Sequence, residues 1–166
     1  MAIEDALKRS EVFLGLDDND LKTIASLPSS REDSYEAGYV LFRAGEEAKH
    51  IYIVEEGQIA IIVEVPASPG HMANQITVDM VNKGNLIGWS ALVRPHLYVL
   101  SALCRKPCKV ALMSGRELLT LFEQDHSIGY KIFQGLSQVI GTRYRDLQQI
   151  LINGKRWPFI EKHFGT

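Results

Sequence analysis

The stretch Gly88-Trp89-Ser90-Ala91-Leu92 has the residue types and spacing that suit binding of a phosphate group. A glycine leads into a short helical turn, a loop that contains Arg94 follows, and Ser101-Ala102 open the next strand. Free amides at the start of a helical turn attract an anion, and a glycine lets the backbone approach it closely. The candidate ligand-binding residues are therefore Gly88, Trp89, Ser90, Ala91, Leu92, Arg94, Ser101 and Ala102.

The elements that must position these residues are short apolar segments separated by glycine turns. Gly38, Gly45 and Gly57 each follow an alanine or a glutamate and lie between apolar runs such as 51–54 and 59–62. Short strands at this spacing are typical of a β-sandwich or β-roll. Strands are predicted at about 30–36, 39–43, 50–55, 58–65, 75–81, 97–104 and 108–113.

Helices are predicted on both sides of these strands. A short helix covers residues 2–10, and Asp17 or Asp18 caps a second helix that runs through Leu27. Residues 116–123 form a third helix, and a long one covers about 127–152. The predicted fold is mainly β with flanking helices, in a single domain of residues 1–166 with a β-roll over about 30–113.

The glycine turns and the segment 88–102 resemble the cyclic nucleotide-binding domain family, which includes catabolite-activator-type regulators. The resemblance runs from about residue 13 to about residue 152. It implies a jelly-roll β-roll (a double-stranded β-helix), a regulatory role without catalysis, and a phosphate-binding cassette at 88–102. It also implies pairing of two copies through the long C-terminal helix.

The cassette departs from the family at the two positions that contact the ligand most directly. The family has a glutamate for the ribose hydroxyl where this chain has Trp89, and an arginine for the cyclic phosphate where it has Leu100. A charge-assisted hydrogen bond contributes about 1.5–3 kcal/mol. We therefore predict that cyclic AMP binds weakly or not at all to this Gly-Trp-Ser-Ala-Leu variant.

Three cassette residues each allow two interpretations. Trp89 either stacks on a flat ligand group or fills the pocket. Arg94 either supplies the missing positive charge or is solvated in its loop. Ser101 either donates to a phosphate oxygen or bonds to the backbone.

The long helix carries apolar residues on two sides, which predicts a homodimer through this helix. One side has alternating three- and four-residue steps interrupted by Arg143, as in a coiled coil. The alternative is a monomer in which both sides cover the roll. The first side consists of Phe133, Leu136, Ile140, Leu147 and Ile150, and the second of Ile132, Val139 and Leu151. The tail at 155–160 is predicted either to fold back on the roll or to touch a partner.

Composition limits the classes of function. The net charge is −2, 46% of residues are hydrophobic and 23% are charged, so we predict no binding to DNA. Nothing after the long helix resembles a helix-turn-helix. The absence of a long apolar run and of a signal core predicts a cytoplasmic protein without membrane contact. Cys104 and Cys108 are predicted to be reduced core thiols.

Neither metal-binding nor catalytic spacing is evident. The five histidines are scattered, without the close pair that a metal-binding jelly-roll enzyme needs and without a haem attachment motif. We expect no catalytic residues, no metal and no certain cofactor. The sequence predicts a non-catalytic regulatory or sensor domain that binds a small anionic or nucleotide ligand and acts on a partner protein. The alternatives are a ligand-free dimerising scaffold and a metal-dependent jelly-roll enzyme.

Overall fold

The computed structural model describes residues 2–70 and 74–153, and within these ranges the chain forms eight strands, four α-helices and a 3-10 turn. The helices are α1 (Ala2–Arg9), α2 (Asp18–Ala25), α3 (Gly115–Gln124) and α4 (His126–Ile152). The strands are β1 (Arg31–Tyr35), β2 (Val40–Phe42), β3 (His50–Glu56), β4 (Ile59–Val65), β5 (Asn74–Val81), β6 (Leu86–Ile87), β7 (Ser101–Cys104) and β8 (Cys108–Ser114). The 3-10 turn covers Trp89–Leu92.

The strands form two antiparallel sheets, with the orders β1-β8-β3-β6 and β2-β7-β4-β5. Ile53 of β3, Val110 of β8 and Ile59 of β4 are fully buried, so the main core lies inside the roll. Apolar residues drive this arrangement because they must leave water, and β3 and β8 carry nearly continuous buried runs. The mainly β roll with flanking helices is the predicted fold.

Two strand predictions need correction. The strand predicted at 97–104 begins at Ser101, and Leu97 forms only an isolated bridge with Glu47. The preceding residue, His96, has φ +58°, which turns the chain away from the extended path of a strand. The sequence also missed β6, because two residues between glycine turns are too few to show an alternating pattern.

The helix boundaries follow local capping. Asp17 caps α2 by accepting a hydrogen bond from the Asp20 amide at 2.9 Å, and the Asp20 carboxylate accepts one from the Asp17 amide at 3.3 Å. The helix ends at Ala25, two residues before the predicted end at Leu27. No helix within the described ranges has the length and apolar character needed to cross a membrane.

Two glycines allow α4 to pack closely on its neighbours. A methyl group on Gly135 would collide with the carbonyl of Val12, and one on Gly129 would contact the Phe122 side chain at 2.8 Å. Ile132 and Leu136 of α4 are buried in the same region. The N-terminal half of α4 is therefore fixed tightly against α3 and the segment after α1.

The apolar side of α4 that the sequence assigned to a dimer seam faces the protomer itself. Leu136 is buried and Ile140 packs against the core, while Leu147 and Ile150 line a cavity beside the roll. Phe133 is partly exposed and packs edge-on against Phe122. The roll offers most of these residues an apolar surface within the same chain, while Phe133 and Leu147 remain 36% and 39% exposed, so pairing of two copies through this seam stays a prediction.

Candidate functional site

A cavity of about 580 Å³ lies between the roll and the C-terminal half of α4. Strands β4 and β5 form one wall, the segment from β6 into the 3-10 turn forms a second, and α4 covers the third side. Its apolar lining includes Phe42, Ile61, Val78, Val81, Ile87, Trp89, Tyr98, Leu100, Leu147 and Ile150. This volume falls in the range of small-molecule sites.

Gly88 makes the turn that leads into the cassette. Its φ is +77°, and a Cβ there would lie 2.6 Å from the His50 carbonyl oxygen and 3.2 Å from the Tyr52 ring. The glycine is therefore required where the chain passes close to β3. The sequence predicted close approach of this glycine to a ligand, and the structure adds a folding role for it beside the backbone of β3.

The 3-10 turn after Gly88 gives weaker support for a bound anion than the sequence suggests. It is only four residues long, and the Ala91 amide donates to the Gly88 carbonyl at 3.0 Å. The positive end of a helix arises from several aligned peptide dipoles, so a single turn provides little of it.

The structure places three of the eight candidate residues at the cavity and the other five elsewhere. Gly88, Trp89 and Ser90 line the cavity, and Trp89 is half-buried in its wall. Ala91 and Leu92 are buried on the other side of the turn. Outside the cavity, Arg94 is exposed to solvent and is not among the lining residues.

Ser101 and Ala102 have structural positions in β7. Ser101 is buried, and its hydroxyl oxygen accepts a hydrogen bond from the Ala44 amide at 2.9 Å. Ala102 is fully buried, and neither residue lines the cavity. Of the two interpretations of Ser101, the geometry supports a bond to the backbone.

Sequence reasoning missed the charged residues of the cavity wall, which come from distant parts of the chain. They are Glu11, Asp79, Asp146 and Arg143. Arg143 Nη2 lies 3.3 Å from Glu11 Oε1 and donates to the Leu86 carbonyl at 3.3 Å. The one available signal was the interruption of the apolar helix pattern by Arg143.

Tyr98 connects the cavity to β3. Its ring stacks on Phe42 with 3.8 Å between centroids, and its hydroxyl donates to the His50 carbonyl at 2.7 Å. Burial raises the pKa of Tyr98, so the hydroxyl remains a donor at neutral pH. This bond fixes an aromatic wall of the cavity.

A second cavity of about 610 Å³ lies on the opposite side of the 3-10 turn, beside α3. Lys49, His50, His96 and Arg116 contribute to its lining, together with Glu47 and Glu123. His96 Nδ1 lies 3.1 Å from the Ser90 carbonyl oxygen. Burial, followed by the nearby charges of Arg31 and Lys49, lowers the pKa of His50.

Both cysteines lie in the core. Cys104 and Cys108 are free and buried, as predicted for core thiols. Burial, and then contact with Cys108, raises the pKa of the Cys104 thiol to about 12, so it stays protonated. Among residues 2–70 and 74–153, no three histidine, cysteine, aspartate or glutamate side chains are arranged to hold a metal ion.

Comparison with known proteins gives the family. The family model for the cyclic nucleotide-binding domain matches residues 32–125, more than half of the chain. The chain belongs to the cyclic nucleotide-binding domain family. Domains of this family are typically regulatory. No protein of curated function matches the sequence at a significant level.

Solved structures share this fold. A Geobacter metallireducens protein described as cyclic nucleotide-binding is 26% identical, with a TM-score of 0.71, and the match covers 87% of this chain and 99% of that one. A cyclic nucleotide-binding domain of Methylobacillus flagellatus is 18% identical, with a TM-score of 0.74 and coverage of 91% and 82%. The regulatory subunit of a cAMP-independent protein kinase A from Trypanosoma brucei is 21% identical, with a TM-score of 0.63 and coverage of 87% and 49%.

Proposed function

We propose that this chain is a non-catalytic regulatory domain that senses a small molecule in the cavity beneath α4. The observation that carries the proposal is that Arg143, Leu147 and Ile150 make α4 one wall of a cavity whose other walls belong to the roll. A ligand there contacts both parts at once. The position of the helix then depends on whether the cavity is occupied.

The mechanism requires that the ligand bind two positions of α4 with different affinity. The N-terminal half of the helix is fixed by Gly135 against Val12, whereas residues 144–149 are exposed. We infer that a ligand acts mainly on the C-terminal half. A partner protein that contacts this half would respond to the change in helix position.

The sequence predicts an anionic or nucleotide ligand, and the cavity supports part of this prediction. Its volume suits a nucleoside-sized molecule, and Phe42, Trp89 and Tyr98 provide aromatic walls for a flat group. Support for a phosphate is weaker, because Arg94 is exposed and Leu100 lies in the cavity wall. We therefore propose a planar ligand, which need not be cyclic AMP.

The dimerising scaffold remains the second candidate, since α4 has an exposed stripe. Tyr130, Ser137, Tyr144 and Leu151 follow one another at every seventh residue, and the three large side chains are 69%, 61% and 61% exposed. A heptad stripe of this kind suits a second copy of the same helix. We propose a homodimer through this stripe together with Phe133 and Leu147 of the predicted seam, which follow Tyr130 and Tyr144 by three residues and are 36% and 39% exposed.

The decisive experiment measures ligand binding and helix response together. Purified protein is screened with nucleosides, nucleotides and planar aromatic compounds by thermal shift, and hydrogen exchange of residues 140–152 is followed for each compound that binds. Val78→Trp fills the cavity, and Ile76→Trp places the same bulk on β5 outside the lining residues. We expect a stabilising compound to slow or speed exchange in α4 in the unmodified chain and in Ile76→Trp only. If no compound stabilises the protein, the result favours the scaffold.

Further parts of the proposal concern cellular context. We propose a cytoplasmic protein that binds neither DNA nor membranes, has no catalytic residues and acts through a protein partner. The net charge of −2 and the regulatory character of the family support these statements.

A further inference from the structure

We propose that the cavity beneath α4 takes a planar, largely apolar ligand whose polar group is a cation rather than a phosphate. This inference rests on the ligand-sensing function proposed above and names the chemical class of the ligand. It follows from the charges in the cavity wall and from the partners that they already have.

Arg143 is the natural candidate to neutralise an anion in the cavity, but its guanidinium is already engaged. Its Nη2 atom lies 3.3 Å from Glu11 Oε1 and 3.3 Å from the Leu86 carbonyl oxygen. Glu11 Oε1 also accepts from the Leu86 amide at 3.3 Å. Glu11 thus offsets part of the positive charge of Arg143 before any ligand arrives, and the four charged residues of the lining, Glu11, Asp79, Asp146 and Arg143, carry a net charge of −2.

The remaining charges of the wall are negative. Asp79 lies on β5 and Asp146 on α4, so carboxylates line the cavity from both the roll and the helix. Asp79 Oδ1 accepts a hydrogen bond from the Met80 amide at 2.8 Å. Within the part of the chain that the structure describes, neither aspartate forms an ion pair. Both aspartates are exposed, so salt screens their charge, and at low ionic strength they repel an anion and attract a cation.

The apolar lining selects the rest of the ligand. The Trp89 ring is half-buried at the wall, and the stacked Phe42 and Tyr98 rings lie nearby in the same lining. Aromatic faces bind flat apolar groups, and they also stabilise a cation near them. The cavity thus combines apolar and aromatic surface with negative charge, which matches an aromatic ring that carries an alkylammonium group and opposes a phosphate.

The test uses three probes of nearly equal shape that differ in charge. Tryptamine carries an ammonium at neutral pH, tryptophol a hydroxyl and indole-3-propionate a carboxylate. Ligand-detected NMR and thermal shift give the affinity of each at low ionic strength, with Val78→Trp as the blocked cavity. We expect tryptamine to bind about tenfold or more tightly than indole-3-propionate, with tryptophol between them, and Val78→Trp to abolish the binding.

Charge variants then test whether the aspartates of the cavity wall cause the preference for tryptamine. Asp79→Asn with Asp146→Asn should narrow the ratio between tryptamine and indole-3-propionate to about threefold or less, because both carboxylates lose their charge at nearly constant volume. Asp5→Asn, on the exposed face of α1, should leave the ratio unchanged.

Equal or tighter binding of the carboxylate probe, or an unchanged ratio in the double variant, would overturn the cationic class while leaving ligand sensing intact. If the indole probes fail but another compound of the thermal-shift panel binds the cavity, the inference alone fails. If nothing binds, the proposed function fails with it.

Discussion

The guanidinium of Arg143 lies 3.3 Å from the carboxylate of Glu11, and the same side chain donates to the carbonyl of Leu86. One residue of α4 thus joins the helix to the segment after α1 and to the strand that enters the Gly88 turn. This junction lies in the wall of the cavity, so a movement of α4 would change the contacts of Arg143.

Replacing Arg143 should release the C-terminal half of α4. We expect Arg143→Met to lower the free energy of unfolding by only about 0.5–1 kcal/mol, since a partly exposed ion pair contributes little. Amide exchange in residues 143–152 should nevertheless become faster. Arg145→Met, on the exposed face of the same helix, is the matched control. Unchanged exchange in Arg143→Met would show that the ion pair does not hold the helix.

The packing of α4 depends on Gly135. We expect Gly135→Ala to lower the free energy of unfolding by about 1–3 kcal/mol, because the added methyl group meets the Val12 carbonyl. At Gly141 an added methyl group would meet only Arg145 Nη2, at an ordinary contact distance of 3.8 Å, so Gly141→Ala should stabilise the protein by up to about 1 kcal/mol through helix propensity. Urea unfolding of both variants measures the two effects. Equal effects of the two alanines would contradict the packing argument.

The departures from the family cassette predict weak cyclic AMP binding. We expect isothermal titration of the unmodified chain to show no sub-micromolar site. Trp89→Glu with Leu100→Arg should raise the affinity about 100-fold, because two charge-assisted contacts return to the wall. Val99→Arg, which adds a cation at a 76% exposed position of the same lining, should give a much smaller gain. No gain in a folded double variant would mean that the loop geometry has diverged as well.

The exposed stripe of α4 predicts self-association. Tyr144→Glu should shift the protein from dimer to monomer in sedimentation experiments, because it places charge in the centre of the apolar stripe. Gln149→Glu, another exposed position of α4, adds the same charge and is the control. A monomer at high concentration for the unmodified chain would end this proposal.

Glu55 predicts a dependence of stability on pH. Burial, and then repulsion from Glu32, raises the pKa of Glu55 above its ordinary 4.5, although Lys109 lies 3.4 Å away. A carboxyl whose pKa is raised by folding favours the folded state at low pH, and this contribution disappears as pH rises through the raised pKa. Glu55→Gln should therefore raise the urea midpoint more at pH 7 than at pH 5. The neighbouring exposed Glu56→Gln should change neither value, and an equal rise at both pH values would argue against a raised pKa.

The sequence was sufficient for the roll and the long helix, but only partly for the site. Short apolar runs bounded by glycine turns reveal strands such as β3 and β4, because buried strands need apolar residues and the tight turns between them need glycine. The cavity wall is different, since Glu11, Asp79 and Arg143 meet only through the tertiary fold. The dimer seam stays a prediction, because an apolar helix face has the same sequence pattern whether it packs on its own roll or on another copy.

Gly88 has a consequence for how members of such a family are compared. Its positive φ and its closeness to the His50 carbonyl are demands of folding, so selection for a stable roll alone would preserve a glycine there. A domain of this family that had lost the ability to bind any ligand would still retain a glycine at this position. The charges that line the cavity are therefore a better criterion for identifying ligand-binding members of the family than the glycine at the start of the turn.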